Sequence, residues 1–137
     1  MRPCSPQFHG LSGVATATGS LDVTVNRVTL RAADLPQNSV GSFLISRTQG
    51  FAPHPGGSQG VLCLGGSIGR FVGPGQLQDS GTDGTFSLAL DLAVQPTPTG
   101  LMQIQPGDTW SFQAWFRDTA AGQVTSNFTS RLELTFR

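Results

Sequence analysis

The sequence predicts an all-β domain, an antiparallel β-sandwich of about 8–10 strands with essentially no helix. Three observations carry this. Apolar side chains recur at every second position in several runs, which is the period of a strand with one buried face. Strong helix formers are scarce: all eight basic residues are Arg, Lys is absent, and Glu133 is the sole Glu. The chain holds 18 Gly and 9 Pro, enough punctuation for many turns.

Residues 1–13 are Pro-, Ser- and Gly-rich and read as an irregular lead-in; residues 14–137 then form one sandwich domain. Val14–Ser20 alternates small residues and suits an edge strand. Asp22–Asn26 places Val23 and Val25 on one face. Arg27–Ala33 turns Val28, Leu30 and Ala32 inward and ends before Pro36, which lacks a ladder N–H. Val40–Thr48 is a strand through Phe43 and Ile45. Gln49–Gly60 carries two Pro and four Gly and reads as a long loop. Val61–Leu64 is a short apolar strand around Cys63. Ser67–Val72 follows, with Arg70 between Ile68 and Phe71, and Gly73–Gly84 is a second loop.

The cleanest alternation is Thr85–Leu92, with Phe86, Leu88, Leu90 and Leu92 inside. Gln95–Gly100 is a turn or crossover, because two Pro cannot sit in a paired interior strand. Leu101–Gln105 is a short strand. In Gly107–Asp118, Trp110, Phe112, Ala114 and Phe116 share one face, and Thr109, Ser111, Gln113, Trp115 and Arg117 the other. Trp110 is therefore structural, while Trp115 faces outward among polar neighbours. Val124–Thr129 follows, and Arg131–Arg137 closes the chain with Leu132, Leu134 and Phe136 inside. Such spacing suits an immunoglobulin-like or jelly-roll-like sandwich, with a closed barrel second. Parallel βαβ units would need helical crossovers, and none is visible.

Charged residues make up 12% of the chain and the formal net charge is zero. Neither the basic footprint of a nucleic-acid binder nor an acidic tail is present. No apolar run reaches the roughly 18 residues of a membrane helix, so no membrane span is expected. The opening Met1-Arg2-Pro3-Cys4 lacks the apolar stretch of a signal peptide, so an export signal is expected outside this chain, with Met1 at a fragment boundary.

Candidate sites are few. Outward Trp115 with Gln113 and Arg117 forms an aromatic-polar triplet: a flat ring for a sugar face, an amide and a guanidinium for hydroxyls. The competing reading covers Trp115 with a loop such as Gln49–Gly60. Cys4 and Cys63 are read as one structural disulfide rather than as one exposed and one buried thiol. It would close a loop of about 60 residues and contribute roughly 3–4.5 kcal/mol. Arg70, flanked by apolar residues, reads as a partly buried structural charge, paired with Asp91 or loop carbonyls. Asp79 and Asp83 occupy positions one and five of a calcium-loop pattern, with Gly84 at six, but Gly81 at three and Leu90 at twelve break it. A solvated loop is favoured, and no metal or cofactor is expected. His9 and His54 sit in no metal or nucleophile motif and read as surface histidines. Asp91 and Asp108 are the candidate carboxylate pair for glycoside hydrolysis, against which Asp108 has an obvious local use in its Pro-Gly-Asp turn. Asn127-Phe128-Thr129 fits a glycosylation sequon but reads as strand and turn.

The runs Ser46–Phe51, Gly56–Gln76, Leu88–Leu92, Pro96–Gly100, Trp110–Asp118 and Thr125–Thr129 together resemble a β-rich module at the C-terminal end of large secreted or surface proteins of planctomycetes and related bacteria. The resemblance spans about Cys4 to Phe136. It implies an exported multi-domain parent, a secreted or cell-surface location and no catalysis by the module itself. Anchoring, sorting or interaction then comes first, with a glycan or cell-surface polymer as partner. A carbohydrate-binding module using Trp115 is second, and a small jelly-roll glycan-active enzyme third.

Overall fold

The computed structural model describes residues 13–120 and 122–137. The described chain is an all-β sandwich of antiparallel strands with a single three-residue helical turn at Pro55–Gly57. No helix among the described residues is long and apolar enough to cross a membrane.

The smaller sheet has the order β1-β2-β8, from β1 (Val14–Gly19), β2 (Val28–Ala33) and β8 (Phe86–Leu90). The larger has the order β12-β11-β3-β6, from β12 (Gln123–Phe128), β11 (Thr109–Ala120), β3 (Val40–Ser46) and β6 (Gly69–Arg70). Two further strands join it: β13 (Leu132–Thr135) pairs with β11, and β7 (Gln78–Asp79) with β3. Two hairpins complete the structure, β4 (Thr48–Pro53) with β5 (Val61–Gly65), and β9 (Gln95–Thr97) with β10 (Gly100–Met102).

The core forms where the two sheets face each other. Val28, Leu30 and Ala32 of β2 and Phe86 and Leu90 of β8 meet Phe43 and Ile45 of β3 and the alternate residues of β11. Phe43 and Phe86 cross between the sheets edge to face, with centroids 5.3 Å apart. Trp110, Phe112, Ala114 and Phe116 are all buried, as their alternation predicts.

β11 is the organising strand. One edge pairs with β3 from Ser111 to Phe116. Its other edge is shared, β13 taking Thr109–Phe112 and β12 taking Trp115–Ala120. At the changeover the Ala114 N–H donates to Thr129 Oγ1 at 3.0 Å, and the Thr129 N–H donates to the Ala114 carbonyl at 2.9 Å. These two bonds satisfy the Ala114 N–H and carbonyl where the neighbour of β11 changes.

The thirteen strands among the described residues exceed the expected number because four of them are only two or three residues long. β6 is one such piece, in place of a strand over Ser67–Val72, and β7 lies in the expected Gly73–Gly84 loop. The expected Gln49–Gly60 loop is in large part β4, which pairs with β5 across an irregularity between Gln49 and Ala52. Asp22–Asn26 is not a strand. The Asp22 carboxylate accepts from the Thr24 N–H and hydroxyl at 2.9 and 2.7 Å, a local turn that outcompetes pairing. The expected Gln95–Gly100 turn or crossover contains the strand β9, in which Pro96 lies opposite Leu101; a two-stranded hairpin tolerates the proline that a central strand would exclude.

Candidate functional site

The outer face of the larger sheet carries a second, smaller apolar layer. Leu44 of β3 and Phe128 of β12 are buried there with Leu64, and half-buried Leu62, Ile68 and Trp115 pack against them. The β4–β5 hairpin supplies the cover. Its anchor is Gln113, whose Oε1 accepts from the Cys63 N–H at 2.9 Å. The Gln113 amide nitrogen donates to the Val61 and Thr129 carbonyls, both at 2.8 Å. At the far end the Gln59 N–H and the Ser58 hydroxyl donate to the Ser126 carbonyl, each at 2.9 Å.

Gly60 permits this close approach. A Cβ there would lie 2.3 Å from Asn127 Oδ1. Gly69 plays the same part across the sheet, since its Cβ would lie 1.8 Å from the Pro96 carbonyl oxygen. Side chains at either position would push the covering segments outward.

The hairpin leaves part of this face open, as a groove of about 490 Å³. Sheet residues Ser42, Leu44, Trp115 and Phe128 line it from below. Pro55, Gly56 and Leu62 come from the hairpin; Ile68, Arg70, Val72 and Leu77 come from the segment running through β6 toward β7. Trp115 lies between Ser42 and Phe128 in the strand register, and the Arg117 guanidinium sits 5.2 Å from its ring centroid. This stack and the hairpin half-cover Trp115 without closing it off.

The structure thus keeps two members of the predicted triplet together and removes the third. Gln113 faces the same side as Trp115 and Arg117 but is fully buried, with both amide hydrogens and its oxygen engaged. It is a hairpin anchor, not a ligand contact. Arg70 is corrected in the opposite direction. It is exposed, because buried Gly69 and Phe71 take the inward positions of this short strand and turn Arg70 toward the groove. It does not pair with Asp91. The Arg70 side chain has no hydrogen bond or ion pair with another described residue, and the one ion pair among them is Arg47–Asp108 at 3.2 Å.

The remaining candidates are dispersed. Asp108 also accepts from the Trp110 indole N–H at 3.3 Å and the Gln105 N–H at 2.9 Å, while the Arg47 guanidinium lies 5.3 Å from the Trp110 ring centroid. Together they close one end of the core over buried Trp110. Asp91 accepts from Asn26 Nδ2 at 3.1 Å and from the Ala93 N–H at 3.0 Å, holding a turn after β8. Asp79 accepts from the Gly81 N–H at 2.7 Å. Among the described residues no three His, Cys, Asp or Glu side chains are grouped to hold a metal. His54 Nδ1 lies 3.1 Å from the Ser58 carbonyl in the hairpin turn. The Asn127 amide donates to Asp118 Oδ2 at 3.1 Å, with Phe128 and Thr129 buried beside it. Cys63 is fully buried. Its expected partner Cys4 lies outside the described residues, as does His9.

The expected alternative of a cover from Gln49–Gly60 is met in part, since the hairpin built from that segment packs beside half-buried Trp115; the apolar layer around the ring is the feature the sequence does not show. One signal was legible: β3 is apolar at three successive positions, Phe43, Leu44 and Ile45, so it had to be covered on both faces. Comparisons with known proteins add no relative, for no family model, curated protein or solved structure matches the chain.

Proposed function

We propose that the chain is a non-catalytic interaction module that anchors or sorts a larger secreted bacterial protein at the cell surface. The observation that carries the reading is the open groove of about 490 Å³ walled by half-buried Trp115 and flanked by unpaired Arg70. A concave, mostly apolar surface with a few polar groups at its edge is the usual form of a binding site. The engagement of Asp91 and Asp108 in separate local hydrogen bonds favours binding over hydrolysis. The family resemblance supports the parent protein and the location. A Cys4–Cys63 disulfide belongs to the same reading, and intact-mass measurement before and after reduction tests it.

The direct test is retention of the purified chain on bacterial envelope preparations. Wild type is retained and Trp115→Ala is lost to the soluble fraction; equal retention of the two overturns the reading. A carbohydrate-binding module is the second reading, favoured by the half-exposure of the Trp115 ring beside the groove. Glycan-array binding that Trp115→Ala abolishes would establish it.

A further inference from the structure

The groove's charge pattern narrows the class of ligand, given the binding role proposed above. Among the described residues Arg70 is the only charged side chain lining it. β6 pairs Arg70 with Leu44, whose side chain belongs to the outer apolar layer. Arg117 stands over the Trp115 ring. Among the described residues neither guanidinium meets a carboxylate, and no Asp or Glu lines the groove. In a chain of zero formal net charge, this leaves a local positive field open to solvent.

The rest of the lining is aliphatic or aromatic, and the one uncharged polar side chain, Ser42, is buried. Pyranose recognition needs several side-chain amides or carboxyls converging on hydroxyls, and Gln113, the one amide on this face of β11, is fully engaged elsewhere. A fatty acyl chain favours enclosure, whereas Val72 and Leu77 at the rim are 56% and 58% exposed. Apolar walls below an exposed rim, with guanidinium groups free for a carboxylate, match a short extended peptide that alternates apolar and acidic side chains.

We propose that this groove takes an acidic, apolar peptide segment of a partner protein, its apolar side chains resting on Leu44, Leu62, Trp115 and Phe128, a carboxylate held by Arg70, and Arg117 adding positive charge at the Trp115 ring.

The test is an NMR titration of the full chain, following the Trp115 indole N–H. The probes are a hexapeptide of alternating leucine and aspartate, its leucine-lysine counterpart, a neutral cello-oligosaccharide and phosphatidylglycerol vesicles. The leucine-aspartate peptide shifts the Trp115 signal and the lysine counterpart binds about tenfold or more weakly. Arg70→Gln, at an exposed position, weakens the acidic peptide about five- to tenfold with the rest of the spectrum intact. Salt at about 1 M, where the Debye length falls to roughly 3 Å, weakens it further. Equal binding of the two peptides, or indifference to Arg70→Gln, overturns the proposal. A response to the oligosaccharide or the vesicles alone also overturns it while leaving the groove a binding site. Silence of Trp115 toward every probe overturns it too, and the anchoring role is then decided by the envelope-retention assay.

Discussion

The two faces of β11 share twelve residues of backbone but are held by different physics. On the inner face Trp110, Phe112, Ala114 and Phe116 are buried against a second sheet whose own alternation matches theirs. Its stabilisation is spread over sixteen buried side chains among the described residues, from β2, β3, β8, β11 and the connecting segments, so no single hydrogen bond decides it. On the outer face the cover is one hairpin, and its hold is concentrated in the Gln113 amide, a few bonds to β12 and close approaches at glycine. A dispersed apolar layer is robust and closed. A locally pinned one leaves space uncovered, and that is where the groove lies.

Several substitutions sharpen or break this contrast. Phe112→Ala opens a cavity in the dispersed core and costs about 3–5 kcal/mol in denaturant unfolding. A loss below about 1 kcal/mol would mean that the inner face is not the principal core. Gln113→Ala leaves the Cys63 N–H and the Val61 and Thr129 carbonyls without their partner, for a loss of about 2–4 kcal/mol. Hydrogen exchange should quicken in β4 and β5 while β2 and β8 keep their protection. Uniform quickening would erase the distinction between the two layers.

Gly69→Ala forces a Cβ onto the Pro96 carbonyl and costs about 1–3 kcal/mol, read as a lowered midpoint with an unchanged denaturant slope. Trp115→Ala, at a half-exposed position, costs only about 1–2 kcal/mol but removes binding; large instability with binding retained would recast Trp115 as core. The smallest effect concerns Asp22, outside both layers. Bonds from the Thr24 hydroxyl and N–H hold its carboxyl below the usual carboxylate range. A depressed folded value adds stability that is present above the unfolded range near 3.8 and lost as pH falls through the folded value. Asp22→Asn should flatten that acid-range slope slightly, and an unchanged slope would show the turn to be energetically silent.

The inner face was legible because period two is a direct consequence of strand geometry. Val28, Leu30 and Ala32 repeat it, as do Phe86 and Leu90, and all five are buried. The outer layer was largely illegible. Gln113 reads as a surface polar residue from its neighbours alone; only the path of Val61 and Cys63, some fifty residues earlier, makes it a buried clamp. Arg70 failed for a related reason. Its apolar flanks suggested burial, but the parity of β6 is set by Gly69, whose missing side chain permits contact with Pro96. The parity of Trp115 puts it on the outer face, where the structure has it, whereas the groove around it depends on long-range placement of Leu62, Ile68 and Leu77.

The Asn127 sequon has a practical consequence for producing this protein. Its amide nitrogen, where a glycan would attach, already bonds Asp118, and the hairpin's Gly60 closes against the same side chain. In a glycosylating eukaryotic host, transfer would have to precede closure of β12, and the attached sugar would then hold the cover away from the sheet. Material secreted from such a host would divide into an unmodified, fully closed fraction and a heavier fraction with its outer layer splayed.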